Sequence, residues 1–239
     1  MRQIGFALSQ AFIEATLVAH SGIAAQLARL FELRFDPAGG ANAEAQAAAQ
    51  VEAITAALEQ VDNLSEDRVL RQYLALMLAT TRTNFWTRDA EGRRRSFLSF
   101  KFDSSKVPGL PPPKPMFEIF VYSPRFEGVH LRGGRVARGG LRWSDRMEDY
   151  RTEVLGLVKA QMVKNAVIVP AGSKGGFVCK QMPKDAVRET IAAEGEAVYR
   201  LFISSLLEVT DNRVLGKIVP PADTVCYDGN DPYLVVAAG

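Results

Sequence analysis

Cysteine and histidine are scarce in this sequence, with two of each among 239 residues. Cys179 and Cys226 are too few for a disulfide framework and lack metal-ligand spacing, which argues against a stapled secreted module and a cysteine-rich zinc site. A reduced, cytoplasmic setting fits them best. Net charge is nearly absent: 29 basic against 27 acidic residues leave +2, so the chain as a whole does not resemble a polyanion-binding protein. No apolar run approaches about 18 residues and the opening MRQIGFALSQ has no continuous apolar segment, so neither a membrane span nor a secretion signal is expected. Gly-x-Gly-x-x-Gly is missing as well, and with it the usual sign of a dinucleotide-binding unit.

The 47% hydrophobic content is enough for a packed core. In the opening third, Ile23, Leu27, Leu30 and Phe31 recur at helical spacing, and Val51, Ile54, Leu58 and Val61 repeat the stripe after a turn at DPAGGAN. A third helix is expected from Ser65, an N-cap followed by Glu66 and Asp67, with Leu70, Tyr73, Leu74 and Met77 buried. Residues 1–84 therefore read as a helical unit. Glu14 and His20, an isolated acid and base in it, read as a solvated face. Residues 85–115 read as a linker: EGRRRS is a solvated turn, and KVPGLPPPKP is a stiff, extended connector.

Residues 116–239 mix two periodicities. MFEIFVYS, GVHLRGG and VARGGLRW are strand candidates, as are AVIVP, FVCK, KIVPP and YLVVAA, while a central helix and a second one from about Lys184 to Glu208 lie among them. The expected class is α/β, a helical unit followed by a mixed-sheet layered domain. Arg138 to Gly176 concentrates the chemistry. Two glycine-rich turns flank a helix with Val154, Leu155, Val158 and Met162 on or beside one stripe, and Gln161 and Lys164, three apart, share a helix face. AGSKGG then reads as a turn that lifts Lys174 out of the fold, because glycine permits both unusual backbone angles and close approach. On spacing alone, Lys164 is an ordinary helix-end cation and Lys174 an exposed loop tip.

In order, GGLRW, QMVK and GSKGG resemble the substrate-binding domain of glutamate dehydrogenases, and ARGGLRWSDR together with TEVLGLVKAQMVKNAVIVP resembles the large bacterial NAD-specific branch. The helical opening, PMFEIFVYSP and VPPADTVCYDGNDPYLVVAA resemble it too. By this resemblance Lys174 matches the catalytic lysine that assists water attack on an iminium, and Lys164 and Gln161 match the pair that contacts the carboxylate at the alpha carbon. Arg138, with Gly139 and Gly140, falls where the hexameric enzymes have a substrate-contacting lysine before a glycine pair. The loop between Lys164 and Lys174 is shorter than in those enzymes, and the family's catalytic aspartate would fall at Gly239; Asp223 and Asp228 fit that role less well. The resemblance implies L-glutamate and 2-oxoglutarate as ligands and a homo-oligomer. It also implies NAD bound mainly by a Rossmann domain beyond this fragment, with no cofactor-binding residue in this chain and no metal, nucleic-acid or membrane partner.

Two other classes have a sequence motive. The Arg-Gly-Gly-like segment 132–142 has the spelling of an RNA-binding module, but apolar strand-like residues flank it. A phosphate-binding loop at AGSKGG lacks the Walker order, since Ser173 precedes the lysine.

Overall fold

The computed structural model describes residues 1–164, 171–182, 185 and 187–238. Four helices open the chain: α1 (Gln10–Ala19), α2 (Ser21–Phe35), α3 (Ala43–Leu58) and α4 (Leu64–Ala79). Ile23, Leu27, Leu30, Ile54, Leu58, Leu70 and Leu74 form their common core, with Tyr73 and Met77 packed against it. The cap of α4 differs from expectation. Asn63, not Ser65, holds the first turn, its side-chain oxygen accepting the N–H groups of Ser65 at 2.9 Å and Glu66 at 3.3 Å. Asparagine caps as well as serine does, and this choice starts the helix one residue before Ser65, at Leu64. His20 is not merely a solvated group, since its Nε2 lies 2.7 Å from Glu66 Oε2 and ties the α1–α2 junction to α4. No single described helix is long and apolar enough to cross a membrane; α1 and α2 together have the length and composition but bend by 96° between them.

The chain passes from α4 straight into β1 (Thr80–Thr83), and β2 (Leu98–Asp103) lies inside the stretch expected to be a linker. Leu98, Phe100 and Phe102 alternate there with Ser99 and Lys101, a strand pattern obscured by a lysine that is fully buried. Strands β3 (Phe117–Tyr122), β4 (Phe126–Arg132) and β5 (Arg138–Trp143) follow, then helix α5 (Tyr150–Lys164), β6 (Ser173–Cys179) and helix α6 (Arg188–Leu207). A short hairpin of β7 (Asn212–Val214) and β8 (Lys217–Val219) precedes β9 (Val235–Ala238). The expected strand AVIVP lies outside the described residues.

Seven of the described strands form one mixed sheet in the order β1-β2-β3-β4-β6-β5-β9, antiparallel from β1 to β6 and parallel from β6 to β9. The α/β layered class is therefore met. Pleating gives the sheet two faces. One packs α6 through Ile119, Val121, Phe126, Leu141 and Phe177 against Val198, Phe202 and Leu206. The other packs α5 through Val129, Leu131 and Val178 against Tyr150, Val154, Leu155 and Val158. The helical opening covers the β2 part of this second face, where Leu76 and Phe102 join Ala79, Val107 and Leu110. Met162 leaves the expected stripe and is 49% exposed, because in the last turn of α5 it is Gln161 that points back to the sheet.

Candidate functional site

Lys174 is not in a loop. It sits in β6, one residue past the Arg132↔Ser173 pair, level with Leu131 on β4. The glycines after it serve close packing, not a turn: a Cβ on Gly176 would come 2.5 Å from Val154 Cγ2, so only glycine lets α5 lie this near the strand. Pleating places Lys174 on the same face as Val178, the α5 face, and half-buried.

Strand β5 brings its residues alongside. The parallel pairs Arg138↔Gly172 and Leu141↔Gly175 set Gly140 level with Lys174, and put Arg138 and Gly140 on the α5 face. Gly139 alternates to the other side, against the Ser173 carbonyl, where any Cβ would overlap that oxygen. From above, Gln161 Nε2 donates to the Arg138 carbonyl at 2.7 Å, while its Oε1 is buried with no donor among the described residues. Lys164 closes α5 one turn further on. Three of the four expected polar residues, Gln161, Arg138 and Lys174, thus gather at one end of the sheet on one face. Among the described residues, no carboxylate forms an ion pair with Arg138 or Lys174. Arg138 instead donates from Nε to Tyr233 Oη at 3.1 Å, and this hydrogen bond holds its guanidinium pKa above the usual value.

The opposite face carries what the sequence reading missed. Arg82, on β1, donates to Asp211 and Asp228 at 2.5 Å each, and Lys101, on β2, donates to Asp228 at 2.5 Å and Asp231 at 2.6 Å. Arg132, at the end of β4, completes the set by donating to Asp231 and to the Tyr233 carbonyl. Burial alone would raise the Asp231 carboxyl; its hydrogen bonds and charge contacts with Arg132 and Lys101 hold it below the usual range. Beside this network His130 is buried, and desolvation, then the charge of Arg132, push its imidazole down to about 3. A signal was available in sequence: TTRT and SFKF each set a lone cation in a strand-like run, and DGND later supplies carboxylates. Asp228 is a member of this network, bound by Arg82 and Lys101.

The Arg-Gly-Gly-like segment 132–142 is the end of β4, a turn and β5, not a disordered basic tail. Its four arginines each have a partner within the fold, Arg132 with Asp231, Arg135 with the Asn230 carbonyl, Arg138 with the Tyr233 hydroxyl and Arg142 with Glu153. Trp143 is 41% exposed with its ring stacked at 6.3 Å on Phe177, and Tyr150 is fully buried.

The fold is that of an α/β layered domain whose mixed sheet carries Arg138 and Lys174 on neighbouring strands beside the glutamine-bearing helix α5. Comparison with known proteins narrows this class. Residues 53–239 match the family described as bacterial NAD-glutamate dehydrogenase, catalytic domain, and residues 1–37 match glutamate dehydrogenase, helical motif 3. The chain is 58% identical over 242 residues to the NAD-specific glutamate dehydrogenase of Halomonas elongata, 56% over 241 to that of Pseudomonas aeruginosa and 51% over 249 to that of Mycobacterium tuberculosis. Each match covers 100% of this chain and 15% of the relative. The chain belongs to the bacterial NAD-glutamate dehydrogenase family and spans about 15% of the length of these relatives.

Proposed function

We propose that this chain forms the substrate-binding portion of an NAD-dependent glutamate dehydrogenase, which converts L-glutamate to 2-oxoglutarate and ammonia. The observation that carries the reading is the pair of cations on β5 and β6, Arg138 and Lys174, on one face beside Gln161 and without a carboxylate partner among the described residues. A dicarboxylate supplies the charge that such cations lack.

In this reading Lys164 and Gln161 seat the carboxylate at the alpha carbon. Arg138 receives a substrate carboxylate, Gly140 leaves room for substrate beside Lys174, and Gly139 keeps β5 close to β6. In its deprotonated form Lys174 takes the proton of the water that attacks the iminium carbon, and it returns that proton to the carbinolamine nitrogen as the carbinolamine collapses to the keto acid and ammonia. NAD, when bound, is the hydride acceptor for the first half of the reaction. Among the described residues no strand, glycine turn and helix form a cradle for it.

The reading is tested by glutamate-dependent NAD reduction in the full-length enzyme carrying this chain. Substituting Lys174→Ala and Lys164→Ala separately is expected to lower kcat/KM by roughly 10²-fold or more each. Wild-type rates in both variants contradict the reading.

A further inference from the structure

We propose that Tyr233 is a positioning residue that holds Arg138 as a two-pronged receptor for a substrate carboxylate, and that the buried ion network fixes Tyr233 in place. The inference rests on the substrate-binding reading of Arg138 and goes beyond it in naming what shapes that site.

Arg138 is exposed at the start of β5, and an exposed arginine side chain samples many rotamers. Here one edge of the guanidinium is taken, because Nε donates to the Tyr233 hydroxyl. That leaves the Nη1 and Nη2 end of the fork for an incoming anion, and a carboxylate meets such a fork through two parallel hydrogen bonds. A lysine has no second edge to be held in this way. An arginine at this position therefore has use for a companion acceptor, and Tyr233 is that acceptor.

Tyr233 can serve only if its own position is fixed, and the loop before β9 is anchored at several points. Asp228 is held by Arg82 and Lys101, Gly229 offers its carbonyl to Arg82 at 3.0 Å, and Asn230 offers its carbonyl to Arg135 at 3.0 Å. Asp231 accepts from Lys101 and Arg132, and its N–H donates to Asp211 at 2.5 Å. Arg132 then takes the Tyr233 carbonyl itself. Two residues later the chain enters β9 with Val235 level with Arg138, so alternation brings Tyr233 to the face Arg138 occupies. A buried cation thus holds the backbone of the residue whose side chain holds the exposed cation.

The test is a double-variant comparison in the full-length enzyme, reading KM for L-glutamate and kcat separately. Tyr233→Phe keeps the ring and removes only the acceptor; it is expected to raise KM roughly 3- to 10-fold with kcat changed less than about twofold. Its thermal midpoint is expected within about 2 °C of wild type, which separates positioning from unfolding. Arg138→Gln is expected to raise KM further, and adding Tyr233→Phe to Arg138→Gln to change nothing more, since the hydroxyl acts through the guanidinium. If Tyr233→Phe raises KM as much in the Arg138→Gln background as in wild type, the positioning role is overturned. If Arg138→Gln raises KM and Tyr233→Phe does not, the positioning role again falls while the carboxylate role of Arg138 stands. An unchanged KM in Arg138→Gln overturns both.

Discussion

Arg132 and Lys174 are neighbours across adjacent strands, yet they lie on opposite faces of the sheet and meet opposite circumstances. Arg132 faces α6 within a closed set of three cations, Arg82, Lys101 and Arg132, against three carboxylates, Asp211, Asp228 and Asp231. Lys174 and Arg138 face the α5 side with no carboxylate partner among the described residues. The difference follows from burial. Each ion taken out of water loses several kcal/mol of hydration, so a buried cation persists only where an anion and further hydrogen bonds offset that loss. A cation at the open rim keeps much of its hydration and is under no such demand. The buried set matches its own charge; the rim set, among the described residues, does not.

The sharpest way to break this comparison is to remove one member of each set. Lys174→Ala is expected to lower kcat by about 10²- to 10⁴-fold while changing the unfolding free energy by less than about 0.5 kcal/mol, as checked by steady-state rates and urea melts. Lys101→Met is expected to do the reverse. It leaves Asp228 and Asp231 buried without one of their cations and lowers stability by about 3–5 kcal/mol. A loss under about 1 kcal/mol in the urea melt is incompatible with a charge-matched core.

Acid titration tests the α6 face more gently. The His130 imidazole titrates at about 3 in the fold, against an unfolded value near ~6.5. Above ~6.5 neither state is protonated; between the two values only the unfolded chain takes up the proton, so stability falls with falling pH by up to about 1.4 kcal/mol per unit. Asp231, depressed in the fold, contributes fully above its unfolded value near ~3.9 and loses that contribution as pH falls through its folded value. His130→Leu is expected to flatten the stability profile between about pH 6 and pH 4, measured by urea unfolding at each pH, leaving the Asp231 loss below it. The smallest effect is at Cys179, on the α6 face, whose thiol is pushed up to about 11 by burial and then by Glu194, against the opposing charge of Arg125. Alkylation by iodoacetamide at pH 8 is expected to run roughly 100-fold slower than for a free cysteine, timed by mass spectrometry.

Helices α2 to α5 were legible because their apolar stripes repeat at helical spacing and their turns carry glycine, asparagine or aspartate. Gln161 and Lys164 could be placed on α5, and Arg138 on a strand, from local pattern alone. Lys174 was misplaced because a glycine pair is read as a turn, while Gly176 is needed for the approach of Val154 from an element distant in sequence. Strand β2 and the ion network were missed because a buried lysine contradicts the alternation that marks a half-buried strand, and its carboxylates lie 127 and 130 residues away. Tyr233 stands 95 residues from Arg138, and the parallel β5–β9 pairing brings them together. Local chemistry is written in local sequence; charge matching in the core is not.

The most direct test of the central claim, that the rim cations await a dicarboxylate, is calorimetric titration of 2-oxoglutarate into the full-length enzyme and its Lys164→Ala and Lys174→Ala variants. The account predicts saturable binding at ~1 mM or tighter, weakened at least ~10-fold by each substitution. Equal affinity in all three folded proteins contradicts it.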